Sequence, residues 1–130
     1  MIVVADTSPI HYLILIEEVD ILTKMYGRVV IPRAVREELL RPLVPEVVRN
    51  WMGQLPAWLE VHTPVNAPDA SLATLDPGER DAILLAGEFR ADQLIVDDRQ
   101  GWHEAEKRGI PVMGTLGVLR EAATLRLLNL

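Results

Sequence analysis

Short apolar runs alternate with segments of helical periodicity along the whole chain, and this alternation limits the fold more than any other feature. Ile2 to Ala5 is a continuous, partly β-branched run that ends at Asp6, which predicts a strand buried on both faces. Ser8-Pro9 then offers an N-cap and a first-turn proline for a helix reaching about Ile16. A second helical segment is expected from Val19 to Tyr26, closed by Gly27 as a C-cap. Val29 to Ile31 predicts the next strand, and Pro32 opens a helix over Arg33 to Arg41. Pro42, Pro45 and Pro56 punctuate a stretch holding a short helix, Glu46 to Gly53. Leu59 to His62 predicts a third strand, followed by a polar loop from Thr63 to Thr74. A strongly signalled helix, Asp76 to Arg90, leads to a fourth strand, Leu94 to Val96, ending at Asp97-Asp98. A helix over Gly101 to Arg108, a strand near Pro111 to Met113 and a final helix capped by Thr115 and reaching about Leu125 complete the chain. Such alternation predicts a parallel sheet covered on both faces, a three-layer α/β/α sandwich. With 130 residues and no repeat or low-complexity tract, residues 1–130 are expected to form a single domain.

Composition narrows the function classes. Hydrophobic residues make up 49% of the chain, which excludes a disordered protein. No apolar run nears the roughly 20 residues of a membrane span. The first residues lack a basic stretch and reach an acid at Asp6, so a signal peptide is not expected and a cytoplasmic location is. The absence of cysteine removes thiolate metal sites. A formal net charge of −6 argues against attachment to nucleic acid by bulk charge. It suits an enzyme whose surplus carboxylates bind cations.

In an open parallel sheet, ligands bind beyond the carboxyl ends of the strands, where the strand order reverses. Two predicted strands end directly in acid, at Asp6 and at Asp97-Asp98. If those strands are neighbours, the acids face each other across the crevice. On the helix after the second strand, Ile31, Val35 and Leu39 form one stripe at 100° per residue. Glu38 lies roughly 60° from the centre of that stripe, beside the core, while Glu37 points nearly the opposite way. An arginine such as Arg41 is the structural alternative for Glu38. In the segment Asp76-Pro77-Gly78-Glu79-Arg80-Asp81, Asp76 and Glu79 fit a capping box. Asp81 is left over at the edge of the stripe made by Ala82, Leu85, Ala86 and Phe89, and Glu79 is not excluded as a ligand. Converging carboxylates without cysteine, and with His11, His62 and His103 scattered, suit Mg²⁺ or Mn²⁺ rather than zinc. Such an ion can activate a water and offset charge on a phosphodiester. A phospho-acceptor receiver domain fits less well, since the paired acids follow the fourth strand and neither Lys24 nor Lys107 is placed for it.

Four pieces in order resemble the PIN-domain family. They are Val3-Val4-Ala5-Asp6-Thr7-Ser8, Pro32-x-x-Val35-x-x-Glu38-Leu39, Asp81-Ala82-Ile83 and Ile95-Val96-Asp97-Asp98. The stretches Gly78 to Ile83 and Gly114 to Leu119 are similar to a prokaryotic subgroup close to the VapC-type toxins. The resemblance spans essentially the whole chain. It implies a sheet of order 3-2-1-4-5, divalent-metal-dependent endoribonuclease activity, frequent homodimers and, for the toxin branch, an antitoxin partner. Matched residue by residue, it implies Asp6, Glu38, Asp81 and Asp97 as the acidic catalytic and metal-binding quartet, with Thr7 or Ser8 as a neighbouring hydroxyl. Many members carry threonine or serine at the position of Asp97, with the acid slightly later, so Asp98 stands as the alternative last ligand. A non-catalytic PIN-like module binding RNA or protein is the competing reading.

The C-terminal helix is expected to pack through Leu116, Leu119 and Ala123. Leu125, Leu127, Leu128 and Leu130 would then crowd its end, as an interface or as a tail folded over the core. A two-fold homodimer is the expected assembly. A partner segment is expected to cover apolar surface between Pro42 and Pro56.

Overall fold

The computed structural model describes residues 1–128. In chain order the elements are β1 (Ile2–Ala5), α1 (Thr7–Leu15), α2 (Ile21–Met25), β2 (Arg28–Pro32), α3 (Arg33–Leu39) and α4 (Glu46–Gly53). They continue with β3 (Leu59–His62), a 3-10 turn (Ala70–Leu72), α5 (Pro77–Glu88), β4 (Gln93–Ile95), α6 (Arg99–Lys107), β5 (Val112–Met113) and α7 (Thr115–Thr124). All strand pairs are parallel, and the sheet order is β3-β2-β1-β4-β5. The expected sandwich and strand order are therefore what the chain adopts.

Strand alternation divides the core into two halves. Val3, Ala5, Val29, Ile31 and Ile95 face one layer, with buried residues of α1, α2, α3, α4 and α7. Val4, Val30, Leu94 and Val96 face the other, against α5 and α6. β1 is apolar throughout, and β2 and β4 are apolar after Arg28 and Gln93, because both of their faces are covered. Ile31, Val35 and Leu39 are all fully buried, as their stripe predicts.

The departures have local causes. The second helix is only five residues long, and Tyr26 is already extended at φ −125°. Gly27 is not a helix cap: its N–H donates to the Met1 carbonyl at 3.0 Å, so the residue feeds β2. The sixth helix starts two residues earlier than expected, because Asp98 caps it by accepting from the N–H groups of Gln100 and Gly101 at 2.9 and 3.3 Å. Thr115 does not cap the last helix; Gly114 occupies that position. The side chains of Thr115, Val118 and Ala122 then turn inward. Of the expected stripe Leu119 packs against the core, while Leu116 is left 79% exposed and Ala123 is exposed, which corrects the expected phase. Leu127 and Leu128 fold back onto the core, while Leu125 stays exposed and Leu130 lies outside the described residues. Among the described residues no helix is long and apolar enough to cross a membrane.

Candidate active site

β1 and β4 are direct neighbours, pairing Ala5 with Ile95. The ladder extends one residue further, since the Asp6 N–H donates to the Ile95 carbonyl at 2.9 Å. That bond fixes Asp6 at the carboxyl edge of the central strand, where the order reverses. Asp6 occupies the N-cap position of α1 without capping it, and its side chain is only 5% exposed. Its Oδ1 is buried without a hydrogen-bond partner. Burial pushes the Asp6 carboxyl up to about 7; the carboxylates of Asp76 and Glu38 act in the same direction, and the Thr7 backbone N–H opposes them.

Glu38 is half-buried beside this acid, while Glu37 is exposed, as the helical phase requires. Its partner is the Thr7 hydroxyl, which donates to Oε2 at 2.5 Å. Among the described residues no arginine pairs with it.

The start of α5 forms the second wall. Asp76 caps the helix by accepting from the Glu79 N–H at 2.9 Å. The reciprocal half of a capping box is missing, because Glu79 turns inward: it is 9% exposed and its Oε2 has no hydrogen-bond partner. Burial holds the Glu79 carboxyl well above the ordinary carboxylate range. Asp76 and Asp98 add to this, since their carboxylates accept from its protonated form and repel its charged one. Asp81 lies two residues on, roughly 200° around the helix from Glu79. It is half-buried and pairs with Arg80 at 3.1 Å.

Across the crevice, both oxygens of Asp97 accept from Thr115, from its N–H at 2.7 Å and from its hydroxyl at 2.5 Å. Asp98 points to the α6 backbone that it caps. Asp97 is thus tied to α7 and Asp98 to α6, and both remain exposed.

Close backbone approach makes room for these acids. A Cβ on Gly78 would lie 3.0 Å from the Thr7 hydroxyl and 3.3 Å from Asp6 Oδ1. A Cβ on Gly101 would lie 2.9 Å from Glu79 Oε2, and one on Gly114 3.0 Å from Asp97 Oδ1. Sequence reasoning gave Asp76 a capping role alone and missed both its place between Asp6 and Glu79 and the hold of Thr115 on Asp97. For Glu79 a signal existed: residues 79, 82, 83 and 86 share the inward face of α5.

Carboxylates as the only donors, two of them with buried and unpartnered oxygens, fit a hard divalent cation. Among the described residues no three His, Asp or Glu side chains stand together as a ready metal-holding group. Binding through three of them therefore requires side-chain adjustment.

Comparison with known proteins agrees with this architecture. No curated protein sequence matches the chain at a significant level. The structure is similar to that of a PilT N-terminus domain protein, SSO1118, from the hyperthermophilic archaeon Sulfolobus solfataricus P2. The two share 16% identity, with a TM-score of 0.66 over 94% of this chain and 93% of the other. That likeness concerns the fold. Residues 2–130 match the family DUF3368, a PIN domain. With its sequence matched almost end to end and its acids set at the carboxyl edge of a β3-β2-β1-β4-β5 sheet, the chain belongs to the PIN-domain family.

Proposed function

We propose that the protein is an endoribonuclease that hydrolyses RNA phosphodiester bonds with the aid of Mg²⁺ or Mn²⁺. The observation that carries this reading is the pair of buried, unpartnered carboxylate oxygens, Asp6 Oδ1 and Glu79 Oε2. Buried acids without partners are costly to ionise, and a cation removes that cost. Asp6, Glu38, Glu79 and Asp97 are the residues we assign to the ion, with Asp98 as alternative to Asp97. Asp81 is a weaker choice because of its pairing with Arg80. When bound, the ion offsets charge on the phosphate and eases ionisation of a water. Thr7 orients Glu38, Thr115 orients Asp97, and Asp6 can hold a proton near neutrality until a cation displaces it. A toxin role with an antitoxin partner belongs to the same proposal. Leu40, Leu43 and Val47 are exposed and supply the apolar surface that a partner segment would cover.

The absence of a preassembled group of three ligands among the described residues favours a second reading, a PIN-like binding module without catalysis. Incubation of a mixed RNA pool with purified protein, with Mg²⁺ or Mn²⁺ and with EDTA, separates the two. Cleavage that depends on metal and is lost in Asp6→Asn supports the nuclease; binding without cleavage supports the module.

A further inference from the structure

One groove borders the acidic crevice and shares Asp97 and Thr115 with it. It lies between α1 and α7, has a volume of about 370 Å³, and is lined by Tyr12, Ile16, Leu116 and Leu119 together with Asp97 and Thr115. Its apolar walls are open to solvent: Tyr12 is 54%, Ile16 50% and Leu116 79% exposed. The Tyr12 ring is tilted against His11, with centroids 5.8 Å apart. Among the described residues its hydroxyl has no hydrogen-bond partner.

We propose that this groove is a nucleobase subsite in which Tyr12 stacks one unstacked base of a single-stranded RNA whose phosphate lies at the crevice. The inference rests on the nuclease reading and names how its substrate is seated. Three observations favour a base as occupant. First, Asp97, which follows β4 beside the strand that ends at Asp6, lines the groove together with its partner Thr115, so a chain with a phosphate at the crevice places the neighbouring nucleotide here. Second, the only charge in the lining is Asp97, whose oxygens are already taken by Thr115. A neutral, flat base suits such a wall better than a phosphate does. A chain of net charge −6 gains more from base faces than from the RNA backbone, except where metal sits. Third, a permanent protein occupant would cover Asp97 and close the crevice, whereas a substrate enters and leaves. Splayed single-stranded bases stacked on aromatic side chains are the general mode of such recognition.

The test is fluorescence anisotropy of a labelled single-stranded RNA in Mg²⁺ at low temperature, with probe integrity checked on a gel. Stacking of one base leads us to expect roughly 5- to 100-fold weaker binding by Tyr12→Ala, and near-native binding by Tyr12→Phe. An abasic nucleotide at one position should cause a similar loss in the native protein and little further loss in Tyr12→Ala, since the two changes remove one contact. Unchanged affinity in Tyr12→Ala, or an abasic scan that is flat, overturns the subsite. So does a fall in molecular mass of Tyr12→Ala by light scattering with RNA affinity intact, which would assign the face to a second copy. A native protein that shows the Tyr12 pattern without ever cutting overturns the nuclease reading and keeps the subsite. One that cuts without the Tyr12 pattern does the reverse, and one that neither binds nor cuts overturns both.

Discussion

Thr115 grips Asp97 at two points, through its N–H at 2.7 Å and its hydroxyl at 2.5 Å, across 18 residues of sequence. The contact fixes the last acid of the crevice to the start of α7. It also sets that helix's rotation, so that Val118 and Ala122 face the core. Thr115→Val keeps the shape and removes the hydroxyl donor to a carboxylate. A stability loss of roughly 1.5–3 kcal/mol is expected, read from urea unfolding, together with reduced metal-dependent cleavage. Native stability in this variant would mean that the backbone N–H alone holds Asp97.

Asp6→Asn should separate stability from activity. The substitution removes a charge that burial disfavours and that Asp76 and Glu38 repel, so the variant should melt at a higher temperature than the native protein in EDTA. Cleavage should be abolished, and the rise in melting temperature caused by Mg²⁺ or Mn²⁺ should shrink or vanish. A large metal-induced rise retained in the variant would remove Asp6 from the site.

Without metal, stability should fall as pH rises from 5 to 8. The native Asp6 carboxyl titrates near 7, whereas the unfolded chain releases that proton near 4. Between those values the native state binds more protons, so the linkage sign makes rising pH destabilising, by up to about 4 kcal/mol for Asp6 alone. Glu79 acts in the same direction. Glu60 and Asp69, held low by Arg28 and by Ser71 with Arg108, oppose this only at acid pH below the window. Chemical unfolding in EDTA at several pH values is the measurement, and a flat or rising profile would contradict the burial of unpartnered acids.

Glu38→Gln should lower cleavage severely, by 100-fold or more on the order expected for loss of a ligand charge, while Glu37→Gln should be close to native. The two positions differ by one helical step, and single-turnover rates compare them directly. Equal effects would contradict the placement of Glu38 beside Thr7.

Assembly is a separate matter. A two-fold homodimer is expected in solution at tens of micromolar, checked by light scattering. The folding back of Leu127 and Leu128 onto the core leaves less of the C-terminal leucine patch available for it than the sequence suggests. A clean monomer would remove the dimer and leave the nuclease proposal intact.

The β1 and β2 segments were legible because covered strands carry unbroken apolar runs, and helix starts carry proline or a capping acid. The strand order was legible only through the resemblance to the PIN-domain family. Glu38 was legible because Ile31, Val35 and Leu39 fix the phase of α3. The α7 phase was not, because leucines at 116, 119, 125 and 127 satisfy more than one stripe, and the deciding contact, Thr115 with Asp97, is tertiary. Glu79 was obscured by a local motif: a capping box explains it within four residues of sequence. The pull of Gly101, whose bare backbone leaves space for its carboxylate, comes from 22 positions away.

The bond from the Asp6 N–H to the Ile95 carbonyl makes the crevice a gauge of strand alignment. Side chains along a strand alternate between faces, so a slip of β1 by a single residue would send this acid to the opposite layer and bring an aliphatic neighbour to the edge. Such a misaligned molecule could remain compact and helical, with nearly the same spectrum of secondary structure. Under the proposed metal-dependent function it would nonetheless lack a metal response. Titration with Mg²⁺ or Mn²⁺ should then count correctly threaded molecules in a preparation, which bulk measures of folding do not distinguish.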